Sequence, residues 1–507
     1  MNVQLFLENS TFSLKQLLCI CGMFYLQSAY AQNTSYTSNA AGIGGNFNVG
    51  IGSGALAVVT AENNTGIGYR ALFSNVGGSR NAALGSRALA LNSSGSFNLA
   101  FGAEALYNNT SGVGNIGIGY KALYVSNGSD NIALGTEAMI SNIGGSANIA
   151  MGYQALGNNN HGGNNVAIGI FALSSSLNAS SNIAMGRDAL RYFVSGTGNV
   201  AIGREAMLNA NNTDANLAIG NLALKSNSGG GLNVALGMQA LENATSPTYN
   251  VAIGVNALKN CVQCLHNVSV GYSALGEASS SRGNVAMGYL ALNKAQSSAN
   301  TAIGPFSLFN LATGDSNVVI GADAMREKIS GAKNISIGVE SGHLNSTGSS
   351  NMFIGYRAGY QEAGSNKMYI AADREKTLLY GDFSTGQVLV GNPNPLNYQF
   401  KGNRKLNVIG GILADSVRVA LSTQWADYVF DPQYNLMPLP KLGDYIAQHK
   451  RLPNMPATET LQQEGIELAA MNTKLMEKVE ELTLYILQLE KRIAAIEKAK
   501  PDPQQMP

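Results

Sequence analysis

Asp188 and Glu205 are the residues best placed to do chemistry in this sequence, because they hold the same position in two successive 17-residue repeats and would stack as a pair of carboxylates. Glycoside cleavage needs such a pair a few ångströms apart, one acid to give a proton and one to attack or activate water. Each follows an arginine, Arg187 and Arg204, and ion pairing accounts for them without catalysis. Cys261 and Cys264 form a CxxC. Redox chemistry at that spacing requires a thioredoxin-like βαβ context, and zinc requires a second pair. The lone neighbour His266 completes no metal site, so a local disulfide or two free thiols is expected. A third set is the charged column Arg70, Arg87, Glu104, Lys121, Glu137, Asp188, Glu205, Asp323, Glu340 and Arg357, with Tyr69, Tyr120, Tyr153, Tyr272, Tyr289 and Tyr356 at the position before it. It reads as a solvated row that keeps the chain soluble, or as a strip of aromatic faces and polar groups suited to sugar rings.

The element that must position these residues is a repeat. The run Asn165-Val-Ala-Ile-Gly169-Ile-Phe-Ala-Leu173 recurs nineteen times between Asn48 and Asn351, with a period of 17 residues and three steps of 16. A short fixed period marks a solenoid, whose units bury an apolar face only by stacking on one another. Counting from the Asn, positions one and three are mostly Val, Ile, Leu or Met, and positions two and four mostly Ala and Gly. That alternation is a strand. Position four is Gly in every unit; position seven is Ala except at Ser307 and Ser341; position eight is Leu or Met until Gly342 and Gly359. Asn, Ser, Thr and Gly then supply a turn.

The expectation is an all-β array over 48–364, a parallel β-roll of nineteen coils, roughly 90 Å long at about 4.8 Å per stacked strand. The Asn column, Asn98, Asn115, Asn131, Asn148, Asn165, Asn182, Asn199, Asn216, Asn233 and Asn250, should stack as a ladder of amides at one corner. The Gly column, Gly102, Gly119, Gly135, Gly152, Gly169, Gly186, Gly203, Gly220, Gly237 and Gly254, should let another backbone come close. From the small Ala and Gly face we expect a close contact with something outside the coil, such as a second chain.

The flanks differ. Residues 1–31 read as an export signal, with Lys15 before the apolar run Leu17 to Leu26 and a small-x-small pattern at Ala29 and Ala31. That run is too short to span a bilayer comfortably. Residues 32–47 are a flexible lead-in. Three short alternating segments in 365–404 form a β cap or neck that closes the last coil. A small mixed linker region occupies 405–464, with a short helix at 437–446. In 465–499 a long helix carries Val479, Leu482, Ile486, Leu489, Ile493 and Ile496 at alternating steps of three and four, a coiled-coil seam. Its β-branched and Leu pattern leans towards two strands, and Ile496 departs from it, so strand number stays open. Residues 500–507 read as a disordered tail. With 12% charged residues and a net charge of +1, the chain has no footprint for nucleic acid or anionic membrane.

The nineteen-fold strand motif resembles the head repeat of trimeric autotransporter adhesins. The resemblance implies a left-handed parallel β-roll and a homotrimer. The family's repeat is shorter, so the added residues here should enlarge the polar turn. Those adhesins end in a membrane-inserting β-barrel, whereas this chain ends in a polar helix, so neither autotransport nor membrane insertion of the mature chain is expected. The C-terminal motifs Trp425-Ala-Asp-Tyr-Val-Phe430, Leu452-Pro-Asn-Met-Pro456 and Met471-Asn-Thr-Lys-Leu475 are similar to the terminal region of secreted, tail-fibre-like proteins of Gram-negative bacteria. Some fibre proteins carry a self-cleaving chaperone with a Ser-Asp-x-Arg-x-Lys run. None is found here, and Ser416 and Ser422 read as ordinary loop or strand residues.

These readings converge on a non-enzymatic, exported or outer-surface homotrimeric fibre that needs no cofactor or metal. It would engage a surface glycan or protein receptor through many weak contacts. Two alternatives are a structural shaft of a tail or injection apparatus and a β-helical polysaccharide-degrading enzyme.

Overall fold

The computed structural model describes residues 45–391, 394–400, 402–419 and 425–499. The expected export signal at 1–31, most of the expected lead-in, Ser422 and the expected tail at 500–507 lie outside the described residues. The chain forms two units, one ending at Gly410 and the other starting at Gly411.

The first unit is a parallel β-solenoid. Each repeat contributes a three-residue strand, from Val49–Ile51 to Met352–Ile354. Successive strands pair in parallel and position for position, so that Ala167 faces Ala184 and Ala184 faces Ala201. Each coil hands its backbone to the next at the same height, which is why a fixed period suffices to specify the register. The glycine at position four is forced by this stacking. Gly169 has φ +133°, and a Cβ there would sit 2.6 Å from the carbonyl oxygen of Gly186 in the next coil.

The inside of the coil differs from expectation. The alanine of the strand points inward and is fully buried at Ala167, Ala184 and Ala201, together with position seven and the leucine at position eight. The larger residues at positions one and three point outward. The small face therefore packs within its own coil, not on a second chain. A 17-residue coil is narrow, and once Leu173 and Ala172 enter it only a methyl group fits opposite them.

Three positions of most coils adopt the left-handed backbone: the residue before the Asn, as in Ser181 with φ +59°, and positions six and eight. Asp188 has φ +59° and Leu190 φ +51°, a conformation that costs roughly 1–2 kcal/mol per L-residue. Coil-to-coil hydrogen bonds hold them there: Asp188 N donates to Ile170 O at 2.9 Å, and Leu190 N to Ala206 O at 3.0 Å.

The stack also runs past nineteen coils, to about 21 turns. Strand Lys367–Ala371 pairs in parallel with Met352–Ile354 and adds a further rung. Only then does the chain reverse, through Thr377–Asp382 and Gln387–Val390, both antiparallel, before Leu406–Val408 returns in parallel. Tyr369, Tyr380 and Leu389 continue the core, so the last coil meets an aromatic layer rather than water.

The second unit contains a 3-10 turn, Ala426–Phe430, and three helices: α1 (Leu439–His449), α2 (Thr458–Glu464) and α3 (Leu468–Ala499). Helix α1 starts two residues later than the expected 437–446 and runs on to Lys450, whose left-handed φ of +54° ends it. The 3-10 turn and the residues just after it are tied to α3 by tyrosines: Tyr428 donates to Glu477 Oε2 at 2.5 Å and Tyr434 to Glu481 Oε1 at 2.5 Å. Lys478 lies between these acids, 2.8 Å from each. Among the described residues no helix is long and apolar enough to cross a membrane.

Candidate functional site

The acids singled out by spacing are claimed by cations. Asp188 pairs with Arg187 at 3.1 Å and Arg191 at 2.9 Å, and Glu205 with Arg204 at 2.9 Å and Lys225 at 3.1 Å. The hydrogen bond from Lys225, with Arg204 behind it, holds Glu205 below the usual carboxylate range. A general acid for glycoside cleavage needs the opposite shift.

The charged column forms ion pairs along the stack: Glu104 lies between Arg87 at 3.5 Å and Lys121 at 3.9 Å, and Arg357 pairs with Glu340. Its cations also cover the neighbouring rings. Arg70 sits 5.2 Å above Tyr69, Lys121 5.1 Å above Tyr120, and Arg357 5.1 Å above Tyr356. Tyr272 and Tyr289 stack on each other at 5.3 Å, while Tyr153 and Tyr289 take the edges of Phe171 and Phe306. A sugar would have to compete with these partners for a ring face.

The asparagines at the corner are buried and linked. Asn165 donates both its main-chain N and its Nδ2 to Asn148 Oδ1, each at 3.0 Å, and Nδ2 also reaches Ala179 O at 2.7 Å. Asn182 repeats the pattern on Asn165. A second buried column, at position eleven, escaped the sequence reading. It contains Asn75, Asn92, Asn109, Asn142, Asn159, Asn227 and Asn345; Asn92 Nδ2 donates to Asn75 Oδ1 at 2.7 Å, and Asn159 Nδ2 to Asn142 Oδ1 at 2.7 Å. The recurrence of Asn eleven residues after the first was the available signal, and it lay hidden in a turn already rich in Asn. Cys261 belongs to the same inner column and is disulfide-bonded to the buried Cys264.

Two apolar faces remain uncovered within their own units. On the solenoid, positions one and three form an outward stripe in which Phe101 is 50% and Met287 41% exposed. Near its start, Ala82 stands where other coils carry larger residues, leaving a hollow bordered by Ile67, Leu84, Leu99 and Phe101. On α3, the seam residues Val479, Leu482, Ile486, Leu489, Ile493 and Ile496 are 43–61% exposed. Val479 and Leu482 also line a groove of about 290 Å³ with Leu442, Leu452, Leu475 and Tyr485. Large contiguous apolar patches on proteins are, as a class, associated with interaction surfaces.

No protein-family model, curated protein or solved structure matches the chain.

Proposed function

We propose that the chain is a homotrimeric fibre, exported to the cell surface or beyond, whose solenoid is a left-handed β-roll shaft that projects and adheres. The observation that carries this reading is the outward stripe of Val, Ile, Leu and Met repeated along the array, which a lone solenoid would leave in water. Three copies packed stripe to stripe bury it, in the manner of the adhesin heads that the repeat resembles. The exposed α3 seam is the matching device at the C-terminal end, a coiled coil that registers the chains. Recognition is multivalent, through equivalent faces displaying the ion-paired and aromatic columns to a glycan or protein receptor. A shaft that carries another subunit's recognition domain is the second reading; it shares the trimer and omits the ligand. With Asp188 and Glu205 held by cations, no residues are assigned to catalysis and no cofactor is invoked.

The test is a variant of the stripe. Ile202→Glu with Ile219→Lys places opposite charges on adjacent rungs, where they satisfy each other in an isolated coil and disrupt an interface. Sedimentation should show three chains for the native protein and folded single chains for the variant. A variant that stays trimeric with unchanged stability would sink the proposal.

A further inference from the structure

Lys328, Asn345 and Glu362 fill the eleventh position of the last three repeats and so form one inner column beside the cap. Lys328 is fully buried. Its Nζ donates to Asn345 Oδ1 at 3.0 Å and to Gly348 O at 2.5 Å, both neutral acceptors. A buried ammonium without a counter-charge is costly, so burial shifts the balance toward the neutral amine. Burial accordingly pushes Lys328 down to about 8. The neutral fraction of a buried amine is a nucleophile.

The amide beside it is held by its other end. Asn345 Nδ2 donates to Glu362 O at 2.7 Å and to Gly364 O at 3.1 Å, which leaves the oxygen of the amide facing Lys328 Nζ. The turn carrying those two carbonyls is itself fixed, because Glu362 Oε1 accepts from Gly364 N at 2.7 Å and Glu362 Oε2 from Tyr369 at 2.7 Å. Nucleophile and amide are thus held in contact by a rigid stack, a placement that replaces a bimolecular encounter.

We propose that Lys328 and Asn345 join as an intramolecular isopeptide bond. The lone pair of neutral Nζ attacks Cγ, with one N–H still held by Gly348 O. The Nζ–Cγ bond forms and the Cγ–Nδ2 bond breaks. One Nζ proton passes to Nδ2, and the nitrogen leaves as ammonia. An amine and a primary amide become a secondary amide and ammonia, so nothing is oxidised and no co-reactant is consumed. The link ties two successive coils covalently where the solenoid meets its cap.

Tandem mass spectrometry of a tryptic digest of the purified full chain tests this. Trypsin cuts after Arg326, Lys333 and Arg357, and an acylated Lys328 resists it. The expected product is a branched peptide joining segment 327–333 to segment 334–357, lighter by one ammonia than the sum of the two unlinked segments. Lys328→Arg should abolish it and leave Asn345 unmodified. Cleavage after Lys328 with an intact Asn345 in the native chain would overturn the proposal, as would a branched peptide that persists in Lys328→Arg.

Discussion

A Cβ on Gly359 would lie 2.5 Å from Cδ1 of Phe353, and one on Gly342 would lie 2.6 Å from Cδ2 of the same ring. Phe353 stands at position two, where most coils have Ala or Gly, and the two glycines stand at position eight, where nearly all others have Leu or Met. Large and small have exchanged places across the last coil, and the ring fills the space beside both glycines.

That exchange predicts a coupling. Phe353→Ala should cost about 3–5 kcal/mol through the cavity it leaves. Gly359→Leu alone should destabilise by steric overlap with the ring. Together, Phe353→Ala and Gly359→Leu restore the ordinary pair at positions two and eight of the last coil, and denaturant unfolding should show a loss well below the sum of the single changes. Additive losses would contradict the packing described.

The amide ladder predicts an order of damage. Asn165→Ala removes the donor to Asn148 and Ala179 and should cost about 1–3 kcal/mol. Asn165→Asp also buries a carboxylate and should cost more at neutral pH. Hydrogen exchange of the strands Val166–Ile168 and Ile183–Met185 reads both, and protection equal to that of the native chain would refute the ladder's role.

The cap carries an acid-sensitive pair. Burial acts to raise Asp382, but hydrogen bonds from Lys367, at 2.7 Å, and from Ser384 outweigh it and hold the carboxyl at about 2, below its ordinary 3.8. A carboxyl depressed in the folded state adds stability above pH 3.8 and loses it as the pH falls toward 2. Lys367→Met should raise the Asp382 pKa and move the acid loosening of the cap to higher pH, measured by carboxyl NMR titration. An unmoved titration would contradict the pairing.

Much of the architecture is legible from spacing alone. The period, the strand, the obligatory Gly169 class of glycines and the apolar seam from Val479 to Ile496 all follow from residue types at fixed intervals. Alternation tells which side chains share a face, but not which face is inside. The usual weighting puts Val166 and Ile168 in the core, and the structure puts Ala167 there, because Leu173 already takes the narrow interior. The left-handed φ of Leu173, +53°, is equally invisible, since leucine rarely adopts it and only the stacked backbone makes it tolerable. At the site level, the spacing of Asp188 and Glu205 gave their common column, while Arg191 and Lys225, which also claim them, sit in a neighbouring column that the motif does not cover.

The molar mass of a chain spanning residues 32–507, taken by light scattering at low concentration, tests the central claim most directly. The account predicts a mass of three chains, with the outward stripe and the α3 seam both buried between copies. A stable, folded single chain would show that the stripe tolerates water, and the fibre reading would fall.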